Sequence, residues 1–201
     1  DIVEAVKNGN LTEEVLDQRL DELLSVIIDT HQATEEKKGT AFNVEAHHEL
    51  ARKAAEESVV LLKNEDNILP LRPGTKVTVI GDFAQNPRYQ GAGSSLVNPA
   101  KQPEFILGEI GSSGLEMVAF EQGYRRNKKS DEKLLNQAKE AAKKAEVVLI
   151  FAGLDEISES EGLDRTHMNM PQAQNMLIDE ITTVNPNVIV VLSAGSAVEM
   201  P

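Results

Sequence analysis

Two uninterrupted apolar runs, Val147-Val148-Leu149-Ile150-Phe151-Ala152 and Val188-Ile189-Val190-Val191-Leu192, limit the folds open to this chain more than any other feature. A strand that is apolar on both faces has to be covered on both faces, which is the habit of parallel sheets sheathed by helices. Shorter β-rich runs predict further strands at Lys76–Ile80 and Leu115–Phe120. Helical spacing predicts helices near Glu104–Ile110, Asp131–Lys144 and Gln172–Val184, the second carrying Leu134, Ala138, Ala141 and Ala145 on one side. Strand and helix therefore alternate, and the expected fold class is α/β: a mostly parallel sheet sandwiched between helices in three layers, with right-handed crossovers. Aromatic residues make up 3 % of the chain and Trp is absent, so the core has to be aliphatic.

Upstream of the first strand the pattern is helical. Residues 2–7 read as a short helix stopped by Asn8-Gly9, and Thr12 opens a second whose first turn holds Glu13 and Glu14. Leu16, Leu20, Leu23, Leu24, Ile27 and Ile28 keep the helical period, which is lost in the polar stretch 31–42. A long helix is expected from about Val44 to Leu62, breaking at Asn64. The resulting division is helices over 1–30, a linker over 31–42 and an α/β domain over 43–201. Because the chain opens on Asp1 and closes on Met200-Pro201 just after a strand, both ends read as cuts from a longer chain. An uncovered sheet edge after Val188–Leu192 would favour self-association into a homo-oligomer.

Charge and composition exclude several functions. With 20 Lys plus Arg against 33 Asp plus Glu, the net charge of -13 argues against a phosphate-backbone partner, so no nucleic acid is expected. The apolar runs are far shorter than the roughly twenty residues a membrane span needs, so no membrane partner is expected either. There is no cysteine, hence no disulfide framework, thiolate nucleophile or thiolate metal site; the compartment stays open, with the cytoplasm as the default expectation.

In open α/β sheets ligands gather beyond the carboxyl ends of the strands, here the loops starting at Gly81, Gln122, Gly153 and Ser193. The loop after the third strand carries Glu159-Ser160-Glu161-Gly162-Leu163-Asp164-Arg165. In an extended segment Glu159 and Glu161 would point the same way and raise each other's pKa, which suits a general acid. On charge alone, a solvated acidic loop is the simpler account. The loop after the first strand contains Arg88-Tyr89-Gln90-Gly91-Ala92-Gly93-Ser94-Ser95. Its glycines suggest a phosphate cradle, but neither the dinucleotide fingerprint nor Gly-Lys-Ser/Thr is present, and Gln90, Ser94 and Ser95 suit a sugar hydroxyl. Adjacent His47 and His48 face different directions on a helix and cannot pair as ligands, and a lone His167 is more often structural than functional. No metal and no cofactor are expected. Lys128-Lys129 and Lys143-Lys144 read as solvated flanking charges.

Taken in order, Ser58-Val59-Val60-Leu61-Leu62-Lys63-Asn64 with Leu69-Pro70-Leu71, Gln90-Gly91-Ala92-Gly93-Ser94-Ser95, the Glu159–Arg165 loop and the closing Leu192-Ser193-Ala194-Gly195-Ser196-Ala197-Val198-Glu199-Met200-Pro201 resemble the second domain of glycoside hydrolase family 3. Residues 1–30 resemble that family's helical exit from its first domain, a (β/α)8-type barrel. The resemblance implies a retaining, exo-acting β-glycosidase, first of all a β-glucosidase, taking a β-linked oligosaccharide or an aryl or alkyl β-glucoside. It also implies that the aspartate nucleophile belongs to the barrel, the domain's expected partner. This segment alone should then be inactive. The acid/base role passes by resemblance to Glu161, with Glu159 as its substitute. Ser94 is implied to reach a hydroxyl of the innermost sugar, with Ser95 and Gln90 shaping the loop; adjacent and opposite in charge, Asp164 and Arg165 suit holding the acidic loop, with direct substrate contact as the alternative.

A carboxylic acid that keeps its proton near neutral pH needs desolvation or a like-charged neighbour, which docking on the barrel would supply. By itself Glu161 is expected to titrate as an ordinary exposed carboxyl. Other specificities in the family, β-xylosidase, α-arabinofuranosidase and N-acetyl-β-glucosaminidase, stay open. So do a non-catalytic sugar- or nucleotide-binding module and an inert scaffold, since a fold does not dictate a function.

Overall fold

A computed structural model describes residues 1–37, 41–102, 104–126 and 130–201, so Lys128 and Lys129 lie outside the described residues. The chain divides into two compact units, Asp1–Val59 and Val60–Pro201.

The first unit holds three helices, α1 (Ile2–Lys7), α2 (Glu13–Glu36) and α3 (Val44–Glu57). Asp1, Thr12 and Asn43 cap them, each side chain accepting from the backbone N–H three residues on. Helix α2 runs through Glu36, so residues 31–36, expected as linker, are helical. Polar residues there carry good helix propensity, and the Thr30 and Thr34 hydroxyls turn back onto carbonyls one turn earlier instead of breaking the helix. Helix α3 stops at Glu57 with Ser58 as its cap, short of the expected Leu62, because the β-branched pair Val59-Val60 has little to gain from helix. No residue of α1, α2 or α3 is buried, and Leu23, Leu24, Ile27 and Ile28 stay about half exposed at 57, 50, 51 and 52 %.

The second unit is a three-layer α/β/α sandwich. Its four strands, β1 (Lys76–Ile80), β2 (Glu116–Glu121), β3 (Val147–Gly153) and β4 (Val188–Ser193), form one parallel sheet in the order β2-β1-β3-β4. Strand β3 is buried along its whole length, as its unbroken apolar run predicts, and β1 is buried at all but its first residue. At the edges, β2 and β4 are only partly covered, leaving Met117, Val190 and Val191 exposed.

Helices α4 (Asp82–Gln85), α5 (Ile106–Ser112), α6 (Glu132–Ala142) and α7 (Gln172–Val184) flank the sheet. α6 packs on β1, β2 and α7, while α4 packs on β3 and α5, and α5 on β2. The small residues Ala138, Ala141 and Ala142 let α6 lie close against the sheet. There the buried Thr78 hydroxyl donates to the Ala141 carbonyl at 3.0 Å. The buried Asn185 amide donates to the Ala142 and Ala145 carbonyls, both at 3.0 Å, which fastens the end of α7 to the end of α6. Thr78 and Asn185 thus have their partners, and each ties an element to its neighbour.

Candidate active site

The loops after β1, β3 and β4 meet at the carboxyl end of the sheet, and their meeting point is built from the strand ends outward. β1 pairs with β3 only as far as Ile80 opposite Ile150, after which Gly81 donates its N–H to Glu121 on β2 at 3.0 Å. β3 continues to Gly153 paired with β4 alone, and on the side that β1 has left, side chains complete its backbone. The buried Tyr124 hydroxyl donates to the Phe151 carbonyl at 2.7 Å. The buried Gln174 amide accepts from the Gly153 N–H at 2.9 Å and donates to the Gly153 carbonyl at 3.0 Å. Gly153 has φ 151°, and any Cβ there would be driven into the Ser193 carbonyl of β4. The acidic loop thus leaves the sheet from a backbone held on both sides.

A second brace sits beneath the loops. Arg126, after β2, lies 4.2 Å over the Phe83 ring and pairs with Asp82 at 2.5 Å and with Glu156 at 2.7 Å. It also donates to the Asn86 carbonyl. One cation thereby joins the loops after β1, β2 and β3, in the fork geometry that suits arginine.

The two glutamates of the acidic loop have opposite surroundings. Glu159 is turned inward, its side chain 10 % exposed. It accepts from Arg88 Nη1, from the Gly195 N–H at 3.0 and 2.9 Å on its two oxygens, and from the Ser196 hydroxyl at 3.1 Å. Arg165 Nη1 stands 3.7 Å away. Burial works to raise its pKa, but these donors prevail and hold the carboxyl below the ordinary range.

Glu161 faces outward and is exposed. Its Oε2 accepts from the Ser94 N–H at 2.7 Å, and Ser94, through its hydroxyl and its backbone, holds this carboxyl below the ordinary range too. The residue between them, Ser160, forms a parallel bridge with Ala92, so the two loops run side by side. Close approach is possible because Gly93, at φ +76°, has no side chain: a Cβ there would lie 2.9 Å from Glu161 Cβ.

Two expectations are corrected here. Glu159 and Glu161 do not face one another and do not raise each other's pKa, because each finds its own donors, Arg88 and Ser94 respectively. Nor does Glu161 titrate as an ordinary exposed carboxyl, since Ser94 favours its ionised form.

Of the remaining residues singled out from the sequence, Gln90 and Ser95 brace their own loop and Arg165 ties two segments together, while Asp164 is exposed. Gln90 accepts from the Val97 N–H at 3.1 Å, and Ser95 donates to the Ala92 carbonyl at 3.1 Å. Arg165 donates to Ser196 at 2.5 Å, to the Ala197 carbonyl at 3.2 Å and to the His167 carbonyl at 3.1 Å, which straps the acidic loop to the segment after β4. The His167 side chain is exposed, and His47 stacks on Phe42 in the first unit with ring centres 5.2 Å apart. Among the described residues no group of three or more His, Asp or Glu side chains can hold a metal ion, and no helix is long and apolar enough to cross a membrane. Arg88 and Gln174 escaped the sequence reading. Arg88 stood in plain view in the glycine loop, but its anionic partner lies 71 residues away.

Residues 59–201 match the model of the glycosyl hydrolase family 3 C-terminal domain. Along its whole length the chain is 48 % identical to 26 % of the thermostable beta-glucosidase B of Acetivibrio thermocellus. Over 98 % of its length it is 41 % identical to 27 % of an exo-alpha-(1->6)-L-arabinopyranosidase of Bifidobacterium breve. Among solved structures, the GH3 beta-glucosidase of Bifidobacterium adolescentis superimposes with a TM-score of 0.76 at 41 % identity, over 98 % of this chain and 29 % of that one. The chain therefore spans about a quarter of the length of the curated relatives it matches. On the domain match, the relatives and the shared fold, this chain belongs to glycoside hydrolase family 3 and carries the second, α/β domain of that family.

Proposed function

We propose that this chain supplies the acid/base loop of a retaining, exo-acting β-glycosidase, with Glu161 as the acid/base and a β-glucoside as substrate. The observation that carries the reading is the contrast between the two candidates: Glu159 has its oxygens occupied by protein donors, whereas Glu161 is exposed beside Ser94 and free to meet a glycosidic oxygen. In the retaining mechanism Glu161 protonates the departing oxygen as an aspartate from the barrel domain attacks the anomeric carbon. It then takes a proton from the water that frees the sugar, the two carboxyls standing about 5–5.5 Å apart.

A group that delivers a proton has to keep it until the transition state. The same loops expose Leu96, Val97, Ile157, Leu163 and Met168, an apolar rim suited to being covered by the barrel. Covering it would desolvate Glu161 and bring the nucleophile's negative charge close, both of which raise a carboxyl pKa against the pull of Ser94. Ser94 is placed to reach a hydroxyl of the innermost sugar, with Gln90 and Ser95 holding its loop. The 201-residue chain by itself has no turnover on this reading, since the nucleophile and most of the sugar pocket belong to the barrel.

The 48 % identity to a protein named as a beta-glucosidase supports the glucoside. The 41 % identity to an exo-alpha-(1->6)-L-arabinopyranosidase favours a second reading, in which the sugar is an α-L-arabinopyranosyl unit. Parallel assays with aryl β-D-glucosides and aryl α-L-arabinopyranosides separate the two. In the full-length protein, Glu161→Ala should lower kcat about 10²–10⁴-fold on poor leaving groups and far less on good ones. Azide should then restore turnover and yield a β-glycosyl azide. Uniform mild loss without that product would remove Glu161 from the acid/base role.

A further inference from the structure

We propose that Glu159 is a positioning residue for the reaction, a buried anion that sets where Glu161 stands; the proposal rests on the acid/base reading of Glu161. The geometry points to this through one carboxylate shared by the loops of β1, β3 and β4. Arg88 belongs to the β1 loop, and its Nη1 reaches both Glu159 and the Leu154 carbonyl, the latter at 3.1 Å. Gly195 and Ser196 belong to the segment after β4, and both donate to the carboxylate, Gly195 through its N–H and Ser196 through its hydroxyl. Arg165, from the acidic loop itself, grips the same segment at Ser196 and Ala197.

Three consecutive residues are therefore anchored in three ways: Glu159 to the cluster, Ser160 to Ala92 by a backbone bridge, and Glu161 to the Ser94 N–H. Glu159 and Glu161 are two residues apart and lie within about 7 Å along the chain, too short a span to absorb a shift of one without moving the other. The anchor demands a negative charge. Arg88 is itself only 10 % exposed, its Nε is buried without a partner, and a neutral residue at 159 would leave that cation facing backbone carbonyl alone. Neither glutamate makes the other's contacts, so their roles are not interchangeable.

The test uses the full-length enzyme with aryl β-glucosides. Glu159→Gln should lower kcat about 10–100-fold with KM within a few-fold of wild type, the scale expected when a catalytic group is misplaced by about 1 Å. The loss should weigh on poor leaving groups, yet azide should give no glycosyl azide, because the Glu161 side chain still fills its place. Glu159→Asp keeps the charge and should regain a large part of the loss, and Ser196→Ala, which removes one donor, should cost about 3-fold in kcat. An unchanged kcat in folded Glu159→Gln overturns the proposal. Should that variant not fold, an unchanged kcat in Ser196→Ala overturns it instead. A glycosyl azide formed by Glu159→Gln also overturns it, by making Glu159 the acid/base itself. Glu161→Ala run alongside distinguishes the two failures. Its azide product together with an unchanged Glu159→Gln sinks the positioning role alone, and absence of the product sinks the acid/base reading and the positioning role with it.

Discussion

Replacing Gln174 by Leu tests how the sheet supports its carboxyl end. The native amide sits 2 % exposed and bonds both polar groups of Gly153, the N–H at 2.9 Å and the carbonyl at 3.0 Å. It stands where β1 has already ended, so no strand is there to take those bonds over. Leucine matches the volume but leaves a buried donor and a buried acceptor unpaired. Each such group costs about 1–3 kcal/mol. Burying the extra apolar surface of Leu returns about 1 kcal/mol, and the net destabilisation comes to about 1–5 kcal/mol. With a urea m-value of about 2 kcal/mol/M, the unfolding midpoint should fall by about 0.5–2.5 M at unchanged m. Urea unfolding of the chain followed by circular dichroism at the helical band reads this directly. A fall of less than about 0.3 M would refute the reasoning, since Gly153 would then satisfy its backbone without the amide.

Two further outcomes follow from the geometry. Gly93→Ala should force Glu161 away from the Ser94 N–H, because the new Cβ meets Glu161 Cβ at 2.9 Å in a left-handed backbone; carboxyl-carbon NMR titration of the chain should then show the Glu161 pKa rising back toward its ordinary value, and an unmoved pKa would mean that Ser94 does not lower it. Burial raises the Tyr124 phenol above the ordinary tyrosine range, and a group whose folded pKa is raised contributes stability that is full below its unfolded pKa of about 10 and is lost as pH climbs above it; the chain should lose stability above about pH 10, and Tyr124→Phe should flatten that slope in urea unfolding at pH 9 and 11.

Much of the second unit was legible in the sequence for one reason, the strength of its periodicity. Strand Lys76–Ile80 and helix Gln172–Val184 emerge with the expected bounds, because β-branched runs and helical spacing are local properties that the tertiary fold had only to accept. The parallel order of strands follows from the same pattern, since strands apolar on both faces admit few other arrangements. Where periodicity was weak the boundaries moved: polar residues 31–36 stayed helical, and α3 ended at Glu57. The loop that carries the candidate site was also visible, as an acidic, glycine-containing stretch after an apolar strand.

By itself the sequence determined that the strands are parallel, which loops gather at the carboxyl end of the sheet, and that two glutamates stand there two residues apart; that β1 is central and the apolar β4 an edge was decided by the tertiary structure. Only the tertiary structure decided which glutamate is turned inward and which faces out. Alternation along a strand would have set both on one side, but a loop has no fixed period, and each side chain goes where its donors are. Those donors come from elsewhere: Arg88 is 71 residues from Glu159, Gly195 is 36, and Ser94 is 67 from Glu161. Distances of that kind along the chain are closed by the packing of the sheet, and it is the packing that turns inward the carboxylate with a buried arginine to meet and leaves its neighbour facing out.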